Sequence, residues 1–181
     1  MKLLICSDIH GDLDSARAVI DFFEKEGCDK ILLLGDILYH GPRNDLPSTY
    51  APKAVINLLN RYADKIIAVR GNCEAEVDQM VLNFPVMADY ALLDLDGTRL
   101  FATHGHKFNM ATPPPLNEGD ILIHGHTHIY ANIEFGKSNL YLNPGSVALP
   151  KENNPRTLMI YEGGIFTLYD LDRNVIMMVN A

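Results

Sequence analysis

Alternation constrains this chain more than any other feature: over the first 69 residues, short apolar runs and amphipathic segments take turns. Lys2 to Ser7 reads as a buried strand. Leu13 to Glu26 then sets Ala16, Val19, Ile20 and Phe23 at the spacing of one helix face, and Gly27 is its natural stop. Lys30 to Leu34 is a second strand, Pro52 opens a second helix with Val55, Leu58, Leu59 and Tyr62 on its inner face, and Lys65 to Val69 is a third strand. Strands separated by helices are joined by right-handed crossovers, which predicts a parallel sheet with covered faces.

After a short predicted helix at Glu74 to Leu82, the pattern changes to apolar runs joined by tight turns. Tyr90 to Leu95 and Thr98 to Thr103 flank Asp96-Gly97, a hairpin signal. Ile121 to Ile123, Ile129 to Phe135, Leu140 to Leu142, Leu158 to Tyr161, Ile165 to Tyr169 and Val175 to Val179 follow, and an antiparallel meander is expected for this half. Pro113-Pro114-Pro115 reads as surface loop. The 17 residues from Gly35 to Ala51 are long for a strand-to-helix connection, which marks a functional loop.

The length suits one domain, 1–181, without a capping domain, and 48% apolar with 21% charged residues is a globular balance, not a disordered or coiled-coil one. No apolar run approaches the roughly 18 residues of a spanning helix, and Met1 to Asp8 turns acidic too soon for a signal peptide. A cytoplasmic protein with no membrane partner is therefore expected. Cys6, Cys28 and Cys73 are odd in number and never in CxxC spacing, which disfavours a disulfide framework and a cysteine zinc site. A net charge of -8 and a pI near 5.2 have the wrong sign for gripping extended nucleic acid. A small phosphate ester stays open as a partner, because bound cations reverse charge locally.

Five of the seven histidines fall between 104 and 128. They belong to a wider pattern in which five apolar runs each end in residues able to bind metal: Asp8-Ile9-His10, Asp36, Asn72, His104, and His124-Gly125-His126-Thr127-His128. Ligands gather at the carboxyl ends of strands in open α/β sheets, so five such ends predict one rim. Asp8 and His10 are two apart, as are His126 and His128, which on an extended strand end sets both members on one side. His106 and His124 then face the other way, toward packing or an orienting role. The mixed oxygen and imidazole set suits Mn, Fe, Zn, Co or Ni better than Mg or Ca. No GxSxG elbow, GxxxxGK[ST] loop or post-strand GxGxxG competes with it.

In order along the chain, Asp8-Ile9-His10, Gly35-Asp36, Gly71-Asn72, His104-Gly105 and Gly125-His126-Thr127-His128 resemble the five blocks of the calcineurin-like metallophosphoesterases. His40-Gly41-Pro42-Arg43-Asn44, Gly71-Asn72-Cys73-Glu74 and Asn143-Pro144-Gly145-Ser146 are similar to the small bacterial YfcE-type phosphodiesterases, over essentially the whole chain. The resemblance implies an α/β fold built as a four-layer α/β/β/α sandwich of two mixed sheets. It also implies two divalent metal ions, manganese first, with Asp8, His10 and His128 on one, Asn72, His104 and His126 on the other, and Asp36 as bridge. Hydroxide held between the cations would attack a small phosphodiester, with Asp36, Asn72, His104 and Cys73 as the catalytic group.

Position 73 departs from the family, much of which carries His there to protonate the leaving oxygen or steady the phosphate. A thiol is a weaker donor without positive charge, which predicts a preference for diesters and activated aryl esters over alkyl monoesters. Attack by Cys73 itself lacks a paired His base. Arg43, Asn72 and Cys73 are the expected substrate contacts, Arg43 as a fork on phosphate; His40 is unassigned, and Asn143-Pro144-Gly145 reads as a turn that the resemblance sets beside the metal rim. Two rival readings are a non-catalytic protein-binding scaffold, as in the retromer scaffold subunit of this fold, and a nuclease. Seven filled ligand positions weigh against the first, and the acidic balance and short chain against the second. An exposed apolar edge among the C-terminal strands leaves room for a homo-oligomer.

Overall fold

The computed structural model describes residues 1–181. The first half runs β1 (Leu3–Cys6), α1 (Leu13–Lys25), β2 (Lys30–Leu33), α2 (Pro52–Leu59) with a tight turn at Asn60–Tyr62, β3 (Ile66–Ala68) and α3 (Glu76–Val81). Eight strands follow: β4 (Tyr90–Leu95), β5 (Thr98–Thr103), β6 (Ile121–Ile123), β7 (Ala131–Phe135), β8 (Asn139–Asn143), β9 (Thr157–Glu162), β10 (Ile165–Asp170) and β11 (Val175–Asn180). They form two mixed sheets, ordered β11-β10-β9-β1-β2-β3 and β4-β5-β6-β8-β7.

Side-chain alternation along β1 builds two cores at once. Leu4 and Cys6 join Ala16, Val19 and Ile20 of α1 and Val55 and Leu59 of α2. Leu3 and Ile5 point the opposite way and join Leu100, Ala102, Ile121 and Ile123 of the second sheet. The first sheet is thus apolar on both faces, as the unbroken run predicts. On the outer face of the second sheet, Phe101, Leu122 and Tyr141 are covered by Phe108 and Leu116. Both come from the 104–120 segment, which contains no helix, so a loop forms the layer there.

The β1–β2–β3 pairing is parallel, as expected, and Asp96 and Gly97 turn the β4–β5 hairpin with φ of 55° and 94°. The antiparallel meander is corrected. β5 pairs with β6 in parallel, and β6 pairs with β8 in parallel. The cause is connectivity: the 104–120 segment returns the chain to the start of the sheet before β6, and β7 is laid outside β8. As a result β5, β6 and β8 release the chain at the rim where β1, β2 and β3 release it. The predicted helix at Glu74 begins instead at Glu76, because the Glu74 side chain turns inward to accept backbone N–H groups of Asp36 and Ile37. No helix is long and apolar enough to cross a membrane.

Candidate metal centre

Backbone hydrogen bonds continue past the end of the β1–β2 ladder and tie the first two loops together: Asp8 N–H to the Gly35 carbonyl at 3.1 Å, His10 N–H to Asp36 at 2.9 Å, and Gly11 N–H to Ile37 at 2.8 Å. Asp8, His10 and Asp36 are held there with φ between 50° and 59°, and His126 and His128 at 67° and 63°. They are not on extended strand ends. The same-side expectation for the spaced pairs is met by left-handed turns, which swing alternate side chains onto the rim. Asp and His tolerate this region better than most residues.

The structure brings all seven expected donors together in two groups. Around the first, His10 Nε2 lies 3.6 Å from Asp8 Oδ1 and 3.3 Å from His128 Nε2, and His128 Nε2 lies 3.3 Å from Asp8 Oδ1. Around the second, His104 Nε2 lies 3.1 Å from Asn72 Oδ1 and 3.1 Å from His126 Nδ1. Asp36 stands between, with Oδ2 3.7 Å from His10 Nε2 and Oδ1 3.5 Å from His104 Nε2. Ligands held about 2.0–2.2 Å from a cation sit roughly 2.9–3.6 Å from one another, close to these separations.

Two further observations fit a cation. His10, His104 and His128 each donate Nδ1–H to a backbone carbonyl, of Tyr39 at 2.7 Å, Leu34 at 2.6 Å and Leu149 at 2.5 Å. That tautomer leaves a lone pair on each Nε2, and lone pairs converging without a cation repel. Asp8 is fully buried; its Oδ2 accepts the His126 N–H at 3.0 Å, while Oδ1 has no hydrogen-bond partner. A buried carboxylate oxygen left bare costs free energy unless a cation meets it.

The electrostatics agree. Burial works against charge on His104, but the Asp36 and Asp8 carboxylates outweigh it and lift the imidazole to about 9. Burial likewise pushes Asp8 up, yet the imidazoles of His10, His128 and His104 beside it hold it well below the usual range. In both cases a proton on imidazole answers a demand for positive charge that a metal would meet better. Burial and the nearby His104 depress His106 and His124 to about 4, so both stay neutral.

Over the donors lies a cavity of about 160 Å³ lined by Asp36, Arg43, Asn72, Cys73, His126 and Lys151, among others. Arg43 and Cys73 therefore stand where substrate contacts were expected. Burial, then Asp36, raises the Cys73 thiol. His124 turns away and packs 4.4 Å from the Tyr141 ring. His106 stays nearer than alternation predicts, its ring centroid 5.4 Å from His104. His40 is wedged between Tyr39 and Tyr50 at 4.8 and 5.4 Å. Ser146 Oγ donates to the Asp8 carbonyl at 2.9 Å, which sets the Asn143 turn against the rim.

Sequence reasoning missed Glu74 and Lys151. Glu74 accepts the N–H groups of Asp36, Ile37 and Gly71 and so fixes the loop that carries Asp36, although burial and Asp36 push its pKa up to about 7. Its only signal is an acid two residues after Asn72. Lys151 has none.

The calcineurin-like phosphoesterase superfamily domain matches residues 1–163. Phosphodiesterase YfcE of Escherichia coli strain K12 is 44% identical over 180 residues, covering 99% of this chain and 97% of that protein. The probable metallophosphoesterase YsnB of Bacillus subtilis strain 168 is 25% identical over 194 residues, covering 97% and 99%. The solved structure of YfcE, described as a phosphoesterase from E. coli, superposes with a TM-score of 0.96 over 99% of both chains at 44% identity. Vps29 of Entamoeba histolytica in complex with zinc shares the fold, at a TM-score of 0.62 and 21% identity over 99% of each chain. A match over residues 1–163 and 44% identity along nearly the whole of a named phosphodiesterase make the chain a member of the calcineurin-like phosphoesterase superfamily, and an enzyme that hydrolyses phosphoric esters.

Proposed function

We propose that this enzyme is a cytoplasmic phosphodiesterase that uses two divalent cations, manganese first among them, to cleave a small phosphodiester. The observation that carries the reading is Asp36, whose two carboxylate oxygens face two separate donor groups. Asp8, His10 and His128 would hold one ion, Asn72, His104 and His126 the other, with Asp36 shared. Two cations so held supply Lewis acidity to the phosphoryl oxygens and lower the pKa of a water toward neutrality.

The remaining work belongs to the chain itself. The backbone carbonyls of Tyr39, Leu34 and Leu149 fix the orientation of three imidazoles before substrate arrives. Arg43 and Lys151 bring positive charge to the cavity and draw in an anionic phosphate. Cys73 gives the leaving oxygen a neutral, weak donor in place of an imidazolium, which suits the single negative charge of a diester better than the dianion of a monoester.

Metal-stripped protein assayed on bis-p-nitrophenyl phosphate and p-nitrophenyl phosphate with Mn²⁺, Zn²⁺, Mg²⁺ or EDTA tests this. Diester cleavage should need metal and fall at least about 100-fold in Asp36→Asn. Folded protein with no turnover under any metal would sink the reading and favour a protein-binding scaffold. Cys73→His should raise monoester relative to diester turnover by about tenfold or more; an unchanged ratio removes the role given to the thiol.

A further inference from the structure

Two cavities meet at Cys73. The polar one lies over the metal donors. The other is a groove of about 400 Å³, and eight of its eleven lining residues are apolar, among them Leu38, Tyr39, Tyr50, Ile56 and Val77. Its charged side chains are Lys53 and Asp78. Nothing in the metal chemistry uses this groove, yet it abuts the centre on two counts: Cys73 lines both cavities, and the Tyr39 carbonyl fixes His10 at 2.7 Å.

We propose that the groove is a subsite for one ester substituent of the phosphodiester, a flat apolar group such as an aryl ring. This rests on the phosphodiesterase reading and narrows its substrate class. A phosphate seated over the donors must direct its two ester groups somewhere, and the apolar wall begins at the edge of that seat. Tyr39 is 42% exposed and Val77 60% exposed, apolar surface that a bound ring would cover. His40 stands edge-on between the two tyrosines, which holds their rings in place as walls of the slot. A nucleoside fits the lining less well than a bare ring, because its several hydroxyls and base edges would lose water and meet few polar side chains there beyond Lys53, Asp78 and the two tyrosine hydroxyls. The volume lies near the lower end of the roughly 300–1,000 Å³ typical of small-molecule sites, the scale of a ring rather than a long chain.

Binding and turnover test the subsite separately. Calorimetry on Mn²⁺-loaded protein would compare phenylphosphonate with methylphosphonate, and kinetics followed by phosphorus NMR would compare the methyl, phenyl and thymidine 5′ esters of 2,2,2-trifluoroethyl phosphate, whose second ester group carries no ring. The phenyl compounds should be favoured about tenfold, in Kd and in kcat/KM, over methyl and over thymidine. Both Val77→Gln and Tyr39→Ala should cut that preference to threefold or less, with melting curves confirming fold. Equal treatment of phenyl and methyl by the parent overturns the subsite, as does a preference that survives both variants. Sedimentation is the second arm: a parent oligomer that Val77→Gln dissociates, with phenyl and methyl undistinguished, would assign the groove to a second copy of the chain. Absence of turnover on every ester overturns the phosphodiesterase reading instead, and is separable because phosphonate binding is read without catalysis.

Discussion

Five of the seven donors, Asp8, His10, Asp36, His126 and His128, sit in left-handed backbone. Each costs about 1 kcal/mol relative to a relaxed residue, so the fold holds five small strains at one rim. Close approach of the loops depends on residues without side chains. A Cβ on Gly71 would overlap Asp36 Oδ1 and come within 2.5 Å of Asp36 N and 2.7 Å of Glu74 Oε2. Gly71→Ala should therefore displace the Asp36 carboxylate and weaken metal binding about 10–100-fold by titration calorimetry, while far-ultraviolet circular dichroism stays close to the parent. Unchanged affinity would mean that the Asp36 loop yields freely. At this scale the sequence is informative about chemistry and silent about shape. Asp, Asn and His at strand ends are legible as candidate ligands, but Glu74, whose role lies in three backbone contacts, is not.

Asp12 caps α1 and shows how an element is anchored to the functional loop. Its carboxylate accepts the Ser15 N–H at 3.0 Å, the Ser15 hydroxyl at 2.6 Å and the Thr49 hydroxyl at 2.6 Å. Burial pushes its pKa up, but these hydrogen bonds outweigh burial and leave it below the ordinary value. A carboxyl depressed on folding contributes stability that is present above its unfolded pKa of about 3.9 and is lost as pH falls through the folded value. Asp12→Ala should cost about 1–2 kcal/mol at pH 7, measured by urea unfolding in EDTA, with the gap to the parent narrowing below about pH 4. A gap as large at pH 3 as at pH 7 would show that the charge contributes nothing. Elements themselves are largely legible from periodicity. α1, α2 and the three parallel strands follow from local spacing, whereas the parallel entry of β6 and β8 does not, because a strand's own residues do not encode its neighbour.

Across the whole molecule, both sheets deliver parallel strands to one end, and buried acids and imidazoles from loops more than a hundred residues apart meet there. Such a cluster favours the folded state most when cations are bound. Metal at about 100 times its Kd adds roughly 2.7 kcal/mol, which for a chain of this size raises Tm by about 5–11 °C. Calorimetric scans with Mn²⁺ and with EDTA should differ by that amount in the parent and converge in Asp36→Asn. Equal Tm in the parent would show that no metal binds at the concentrations used.

By itself the sequence determined the strand and helix periods, the two-faced apolar strands of the first sheet, the hairpin at Asp96-Gly97 and the residue types of the candidate donors. These depend on residues close together in the chain. Tertiary structure decided that β8 rather than β7 lies beside β6, that left-handed turns and not extended strands aim Asp8 and His10, that Glu74 braces Asp36, and that an apolar groove opens next to Cys73. Each of these is a relation between distant segments, Asp8 with His128 or Tyr39 with Val77, and it exists only after the sheets have packed and fixed which loops share a rim.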